Sequence, residues 1–370
     1  MALVHRTHRL AATAAAGVVG ARLSRGRRRR PPLDARSAPP PAGSVSVVVP
    51  ARDEERRLPA CLAALAADPD VTETLVVDDE STDATATIAA AAGARVVRGA
   101  PKPPGWAGKA WALEQGLRAA RGDVVVFLDA DARPRPGLVR ALAAALDDAE
   151  LVSAGPRFAC PGPVGRALHA SMLATLVYRF GPADAEGHQP PPARAMANGQ
   201  CLVVRRAALC AAGGWARVRG SLVEDVALAR RLRADGARLA FADATDLLEV
   251  EPYASARETW DGWGRSLLAA EESAAGWLAA DLAVLWLAMA LPLPLAVLRR
   301  GRLDLALLAL RLALLGALRR NYAPRGIAFW LSPLADLPVA ARLTWSALRP
   351  GRTWRGRTYP APRTAPRRGT

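Results

Sequence analysis

Two carboxylates separated by one small residue, Asp129-Ala130-Asp131, close an apolar run of sequence VVVFLDAD over residues 124–131. Carboxylates this close repel one another and call for a counter-charge. A divalent metal that also carries a phosphorylated ligand supplies one. On its own such a pattern is more often an acidic surface turn. Other acids stand in comparable places. Asp53 follows the β-branched run SVSVVVP, which ends at Pro50, and the run TLVVD ends in Asp78-Asp79. Glu224-Asp225 opens a helical pattern, where the helix N-terminus stabilises an anion.

Elements must bring these acids together. The run before Asp129 is apolar on both faces and predicts a strand buried between helices. Upstream, the pattern predicts strands over 44–50, 74–78 and 94–97. Helices are expected over 54–67, where Leu58, Leu62 and Leu65 recur at helical spacing, and over 82–92, capped by Ser81 and stopped by Gly93. This alternation is a Rossmann-like α/β unit. In a parallel sheet its strand ends share one rim, where ligands bind. No G-x-G-x-x-G follows the first strand, which argues against a dinucleotide cofactor. Downstream, helices are expected over 136–146, 167–180 and 226–234 and strands over 151–154 and 202–204. A Pro-rich loop over 181–192 carries His188, read as a solvated histidine rather than a catalytic one.

At 370 residues the chain accommodates one catalytic domain with additional elements. Its four cysteines form no C-x-x-C pair, which fits a reduced, cytosolic setting. The formal charge of +16 is uneven. One basic block spans Arg22 to Arg36 and another Arg349 to Arg368, with Arg357 among them. With no zinc-finger spacing or RNA-binding aromatic signature, these blocks suit an anionic membrane face better than a nucleic acid.

In order, SVVVPARDEE, VVDDESTD, PPGWAGKAW over 103–111, GDVVVFLDAD and the later Glu224-Asp225 resemble the GT-A catalytic domain of family 2 glycosyltransferases, from about Ser44 to Leu268. Within it, the P-x-G-W-x-G-K segment is similar to that of bacterial enzymes associated with carotenoid and hopanoid glycosylation. The resemblance implies an α/β GT-A fold. It implies that Asp79, with Asp78 beside it, binds the nucleoside of a nucleoside-diphosphate sugar, near Pro50 and Asp53. Asp131 would ligate Mg²⁺ or Mn²⁺, with Asp129 supporting it or facing the donor sugar. Lys109 is a phosphate contact or, equally, an ordinary surface lysine. Asp225, beside Glu224, matches the general base. Asn198 and Trp215 match acceptor-side positions, though turn chemistry and packing explain them at least as well. Where processive polysaccharide synthases carry Q-x-x-R-W, this chain has Trp260-x-x-Trp263-x-Arg265, a departure that disfavours a long polymer. Trp260 and Trp263 are read as acceptor-side or interfacial residues.

Three hydrophobic stretches follow, over 274–298, 304–318 and 327–348. They predict membrane helices, an even number of crossings and a cytoplasmic catalytic domain. Residues 10–23 are a weak anchor candidate ahead of a Pro-rich linker over 31–43. The expected organisation is a basic N-terminal segment (1–43), a catalytic domain (44–268), membrane helices (269–348) and a basic tail (349–370). The function expected is an inverting glycosyltransferase acting on a carotenoid- or isoprenoid-type lipid. A polyprenyl-phosphate glycosyl synthase is the alternative, and a non-catalytic scaffold with a degenerate domain is a third reading that the intact acids disfavour.

Overall fold

The computed structural model describes residues 2–349, 353–354 and 357–359. In chain order the helices and strands are α1 (Ala2–Ser24), β1 (Val45–Ala51), α2 (Leu58–Ala66), β2 (Glu73–Asp78), α3 (Thr85–Ala91), β3 (Arg95–Arg98), α4 (Gly108–Ala119), β4 (Val124–Leu128), β5 (Ala132–Pro134), α5 (Leu138–Ala145), β6 (Leu151–Gly155), β7 (Arg157–Phe158) and α6 (Pro163–Phe180). They continue with β8 (Cys201–Arg205), α7 (Arg206–Ala211), α8 (Glu224–Ala234), β9 (Leu239–Asp243), β10 (Leu248–Val250), α9 (Ala256–Ser266), α10 (Ala275–Val284), α11 (Pro292–Arg299), α12 (Arg302–Leu318), α13 (Gly326–Trp330), α14 (Asp336–Leu348), β11 (Thr353–Trp354) and β12 (Arg357–Thr358).

β-Branched runs in β1, β2 and β4 pack on both faces and form the centre of a seven-stranded sheet, ordered β3-β2-β1-β4-β8-β6-β9. β1 pairs in parallel with β2 and β4, and β2 with β3, as the sequence predicts. The sequence did not reveal that β8 runs antiparallel to both β4 and β6. That reversal sets Cys201 opposite Leu128 and brings the preceding Asn198–Gln200 turn to the rim where Asp129 lies. A smaller sheet, β5-β10-β7, closes that rim.

Helix starts differ from expectation for local reasons. α2 begins at Leu58, where Pro59 occupies the first turn. α3 begins at Thr85 rather than after Ser81, because the Ser81 hydroxyl accepts from the Asp53 amide at 3.1 Å and Asp83 takes the Thr85 amide at 3.0 Å.

The expected multi-pass membrane region is corrected by the structure. Among the described residues no single helix is long and apolar enough to cross a membrane; one pair, Ala275–Ala290 with Pro292–Arg299, passes by length and composition only together, with a bend of 41°. A π-helical stretch and Pro292 break the first stretch. α12, with 17 residues, is only about 26 Å long at 1.5 Å per residue, short of a ~30 Å hydrocarbon core.

The charges within these stretches hold the helices to the rest of the protein. Asp281, buried in α10, accepts from Arg194 at 2.7 Å, Arg179 at 3.2 Å and Arg22 at 3.5 Å, joining α1 and α6 to α10. Burial lowers Arg179 to about 10 despite Asp281. Arg311 in α12 donates to buried Asp336 at 2.8 and 2.9 Å, and Ser171 of α6 donates to the same carboxylate at 2.7 Å. Counting apolar residues overlooked these pairs, which satisfy polar groups within the protein. Helix α1, read from the sequence over 10–23 as a weak anchor, a signal-like segment or a surface helix, buries Ala12, Ala15 and Val19. Of the basic tail, Arg352, Arg355, Arg363, Arg367 and Arg368 lie outside the described residues.

Candidate active site

The carboxyl ends of β4, β6 and β9 open onto one cavity of about 1030 Å³. Asp129, Asp131, Lys109, Asn198, Glu224, Asp225 and Trp263 all line it. A crevice of about 80 Å³ adjoins it, formed by Pro50, Arg52, Glu54, Asp79, Lys109, Asp129 and Asp131.

Asp131 lies in the turn between β4 and β5, and its Oδ1 is buried without a hydrogen-bond partner. Burial, then the charges of Asp129 and Glu54, push its carboxyl up to about 7. Asp129 is already paired, with Lys109 Nζ 2.8 Å from Oδ1 and 3.0 Å from Oδ2. The same ammonium lies 3.2 Å from Glu224. Burial alone would favour neutral Lys109, but Asp129 and then Glu224 hold the ammonium well above the usual lysine range. Lys109 is therefore ion-paired to two acids and is not an ordinary surface lysine.

Glu224 and Asp225 open α8. Burial pushes Glu224 up to about 7. Asp225 stays half-buried on the cavity wall, where Oδ2 accepts from the Gly199 amide at 2.7 Å and Oδ1 from the Val226 amide at 2.8 Å. Burial raises its pKa as well. The Asn198 side chain donates to the Ala154 carbonyl at 3.0 Å and so fixes the Asn198–Gln200 turn at the cavity edge.

Asp79 is buried at the end of β2, where burial raises its pKa against the opposing pull of Arg357 and Arg52. Several expected site residues serve other ends. Asp78 caps its own turn by accepting from the Ser81 amide at 3.1 Å. Asp53 is exposed and accepts from the Thr82 amide at 2.8 Å, tying two loops together away from the crevice. Trp215 is fully buried edge-on to Phe127, with ring centroids 5.1 Å apart, and does not reach the cavity. Trp260 packs among the helices beside Arg342, whereas Trp263 lines the cavity and stacks on His169 at 3.9 Å. His188 lies 3.3 Å from Arg25 and is not among the residues that line the cavity.

Sequence reasoning missed Glu54, Arg57 and Arg265 near the carboxylates, and Arg357 and Tyr359 at the chain's far end. Glu54 and Arg57 belong to the ARDEERR string after β1, which carried the signal without a role. It also missed an apolar branch of the cavity, formed by Leu173, Leu176 and Val177 of α6 and by Leu310, Leu314 and Ala317 of α12.

Residues 46–210 match the model of Glycosyl transferase family 2. The chain carries a family 2 glycosyltransferase domain. Over 90 residues it is 41% identical to the 4,4'-diaponeurosporenoate glycosyltransferase of Staphylococcus haemolyticus, covering 24% of each chain. Over 102 residues it is 43% identical to the glucosyl-3-phosphoglycerate synthase of Mycolicibacterium paratuberculosis, covering 26% of this chain and 31% of that one. The matched part thus spans a quarter to a third of these relatives. The mannosyltransferase PcManGT of Pyrobaculum calidifontis, solved with GDP-Man and Mn²⁺, superposes with a TM-score of 0.57 over 92% of this chain and 98% of its own. At 18% identity that likeness shows the fold alone, and it is the mixed α/β GT-A fold expected from the sequence.

Proposed function

We propose that this protein transfers a sugar from a nucleoside diphosphate to the hydroxyl of a lipid acceptor, with inversion at the anomeric carbon. The observation that carries the reading is the form of the large cavity. Its carboxylate end holds Asp129, Asp131, Glu224 and Asp225, and its apolar branch lies between α6 and α12.

Asp79 accepts hydrogen bonds from the donor's nucleoside. Asp131, with Asp129 beside it, suits a divalent cation. An unpartnered buried carboxylate oxygen and a carboxyl raised by its acidic neighbours are relieved by positive charge. Among the described residues no three ligating side chains are grouped to hold a metal; Asp131 and Asp129 would hold the cation together with the donor's diphosphate. When bound, Mg²⁺ or Mn²⁺ neutralises charge on the leaving diphosphate.

Asp225 is the general base. Its Gly199 and Val226 contacts aim the carboxylate, which takes the acceptor hydroxyl proton as that oxygen attacks the anomeric carbon. The carbon–oxygen bond to the diphosphate breaks on the opposite face, and its electron pair leaves with the nucleoside diphosphate. With a carboxylic acid acceptor, already ionised at pH 7, Asp225 orients rather than deprotonates.

A lipid phosphate is the second reading, favoured by the guanidinium groups of Arg57 and Arg265 on the cavity wall. The test is product analysis with purified protein, a panel of nucleoside-diphosphate sugars, Mn²⁺, and three acceptors: an isoprenoid alcohol or acid, a polyprenyl phosphate and 3-phosphoglycerate. Glycosylation of the isoprenoid alcohol or acid supports the leading reading, and glycosylation of the polyprenyl phosphate alone supports the second. Glycosylation of 3-phosphoglycerate alone contradicts it.

A further inference from the structure

The chain returns to the donor side at its C-terminal end. Arg357 of β12 donates from Nη1 to Asp79 Oδ2 at 2.7 Å, across 278 residues, and pairs through Nη2 with Glu80. Two residues on, the Tyr359 hydroxyl accepts from the Gly108 amide, the first residue of α4, at 3.2 Å. Tyr359 is buried against the core group that includes Trp106, Ala107 and Ala110, and Lys102 lies over its ring at 5.8 Å. This seat depends on a glycine. A Cβ at position 108 would sit 2.8 Å from Arg357 Nη1, 3.1 Å from Asp79 Oδ2 and 3.1 Å from the Tyr359 hydroxyl.

We propose that Arg357 and Tyr359 form a strap at the donor side, with Arg357 positioning Asp79 and Tyr359 forming a wall of the donor subsite. The inference rests on the donor reading above. Tyr359 lines the large cavity beside Ala107, Gly108, Lys109 and Asp129, so it faces the space where the donor's phosphates meet the carboxylates. With the strap seated that cavity is still about 1030 Å³, at the upper end of the ~300–1,000 Å³ usual for small-molecule sites. The strap therefore bounds the cavity without filling it. Asp79 itself stands in the adjoining crevice of about 80 Å³, beside Arg52, Asp129 and Asp131. Arg357 uses part of the Asp79 carboxylate, which has about four acceptor positions, and leaves the remainder for a base N–H or a ribose hydroxyl.

The test is calorimetric titration of the full chain with UDP and with GDP in the presence of Mn²⁺. The same titration is made on Arg357→Ala, Arg357→Lys, Tyr359→Phe and a chain ending at Arg349. Thermal melting checks that each variant folds. The strap predicts that Arg357→Ala and the shortened chain bind the preferred nucleotide about tenfold more weakly or worse, and that Arg357→Lys recovers part of the loss. In turnover, KM for the donor rises more than kcat falls. Hydrogen exchange at Gly108 quickens in Tyr359→Phe and slows on nucleotide binding to the full chain. Equal or tighter binding by the shortened chain overturns the proposal and makes the segment an obstruction. Failure of the full chain to bind any nucleotide overturns the donor reading and this proposal with it.

Discussion

The Gly199 amide donates to Asp225 Oδ2 at 2.7 Å, so a turn before β8 orients an acid at the start of α8. The contact is close because residue 199 lacks a side chain; a Cβ there would lie 2.9 Å from the same oxygen. Asp225→Asn keeps the shape and removes the base. It is expected to lower kcat by about 10²–10⁴-fold for a hydroxyl acceptor, with donor affinity retained. Unchanged turnover of a hydroxyl acceptor would remove Asp225 from that role.

The apolar branch gives an acceptor-specific prediction. Ala317 lines the cavity on α12, so Ala317→Trp fills that branch without touching the carboxylates. Transfer to a long-chain lipid should fall while slow hydrolysis of the donor, measured as free nucleoside diphosphate, persists. Equal loss of both activities would place the acceptor elsewhere.

The buried polar anchors of the C-terminal helices predict a stability effect. Asp281 is 1% exposed and compensates Arg22, Arg179 and Arg194. Asp281→Asn leaves those cations uncompensated and is expected to cost about 3–5 kcal/mol, read as a lower midpoint in urea. A change within error would mean the arginines find other partners.

Acid should weaken the fold through His169. Burial lowers its pKa from 6.5 to about 3, and Nδ1 lies 2.8 Å from the Tyr322 hydroxyl. The folded state holds the ring neutral, whereas the unfolded chain protonates it near pH 6.5. Its contribution is complete above pH 6.5 and is lost as pH falls towards 3, by about 1.4 kcal/mol per pH unit. Between pH 7 and 5 the melting temperature should drop more for the native chain than for His169→Gln. Parallel slopes would assign acid sensitivity to other groups.

The parallel half of the sheet was legible because β1, β2 and β4 are short β-branched runs that each stop at an acid or proline. Asp79, Asp129, Asp131 and Asp225 were readable for the same reason: each stands at an element end on one rim. Trp215 shows the limit. A tryptophan in a glycine-rich turn looks like a ligand contact until the packing of Phe127 is known. The helices after residue 269 were misread because hydropathy counts residues singly. Asp281 and Arg311 find their partners on α6, α1 and α14, contacts that only folding creates. Arg357 was read as one more charge in a basic tail, since nothing local shows that it returns to Asp79.

The central claim is that Asp131 and its neighbours hold a nucleoside-diphosphate sugar through a divalent cation. Calorimetric titration of the native chain and Asp131→Asn with nucleoside-diphosphate sugars, with and without Mn²⁺, tests it most directly. The native chain is expected to bind one donor only when metal is present, and Asp131→Asn to lose that metal dependence together with most of the affinity. Absence of binding to every donor, or equal metal-dependent binding by Asp131→Asn, would contradict it.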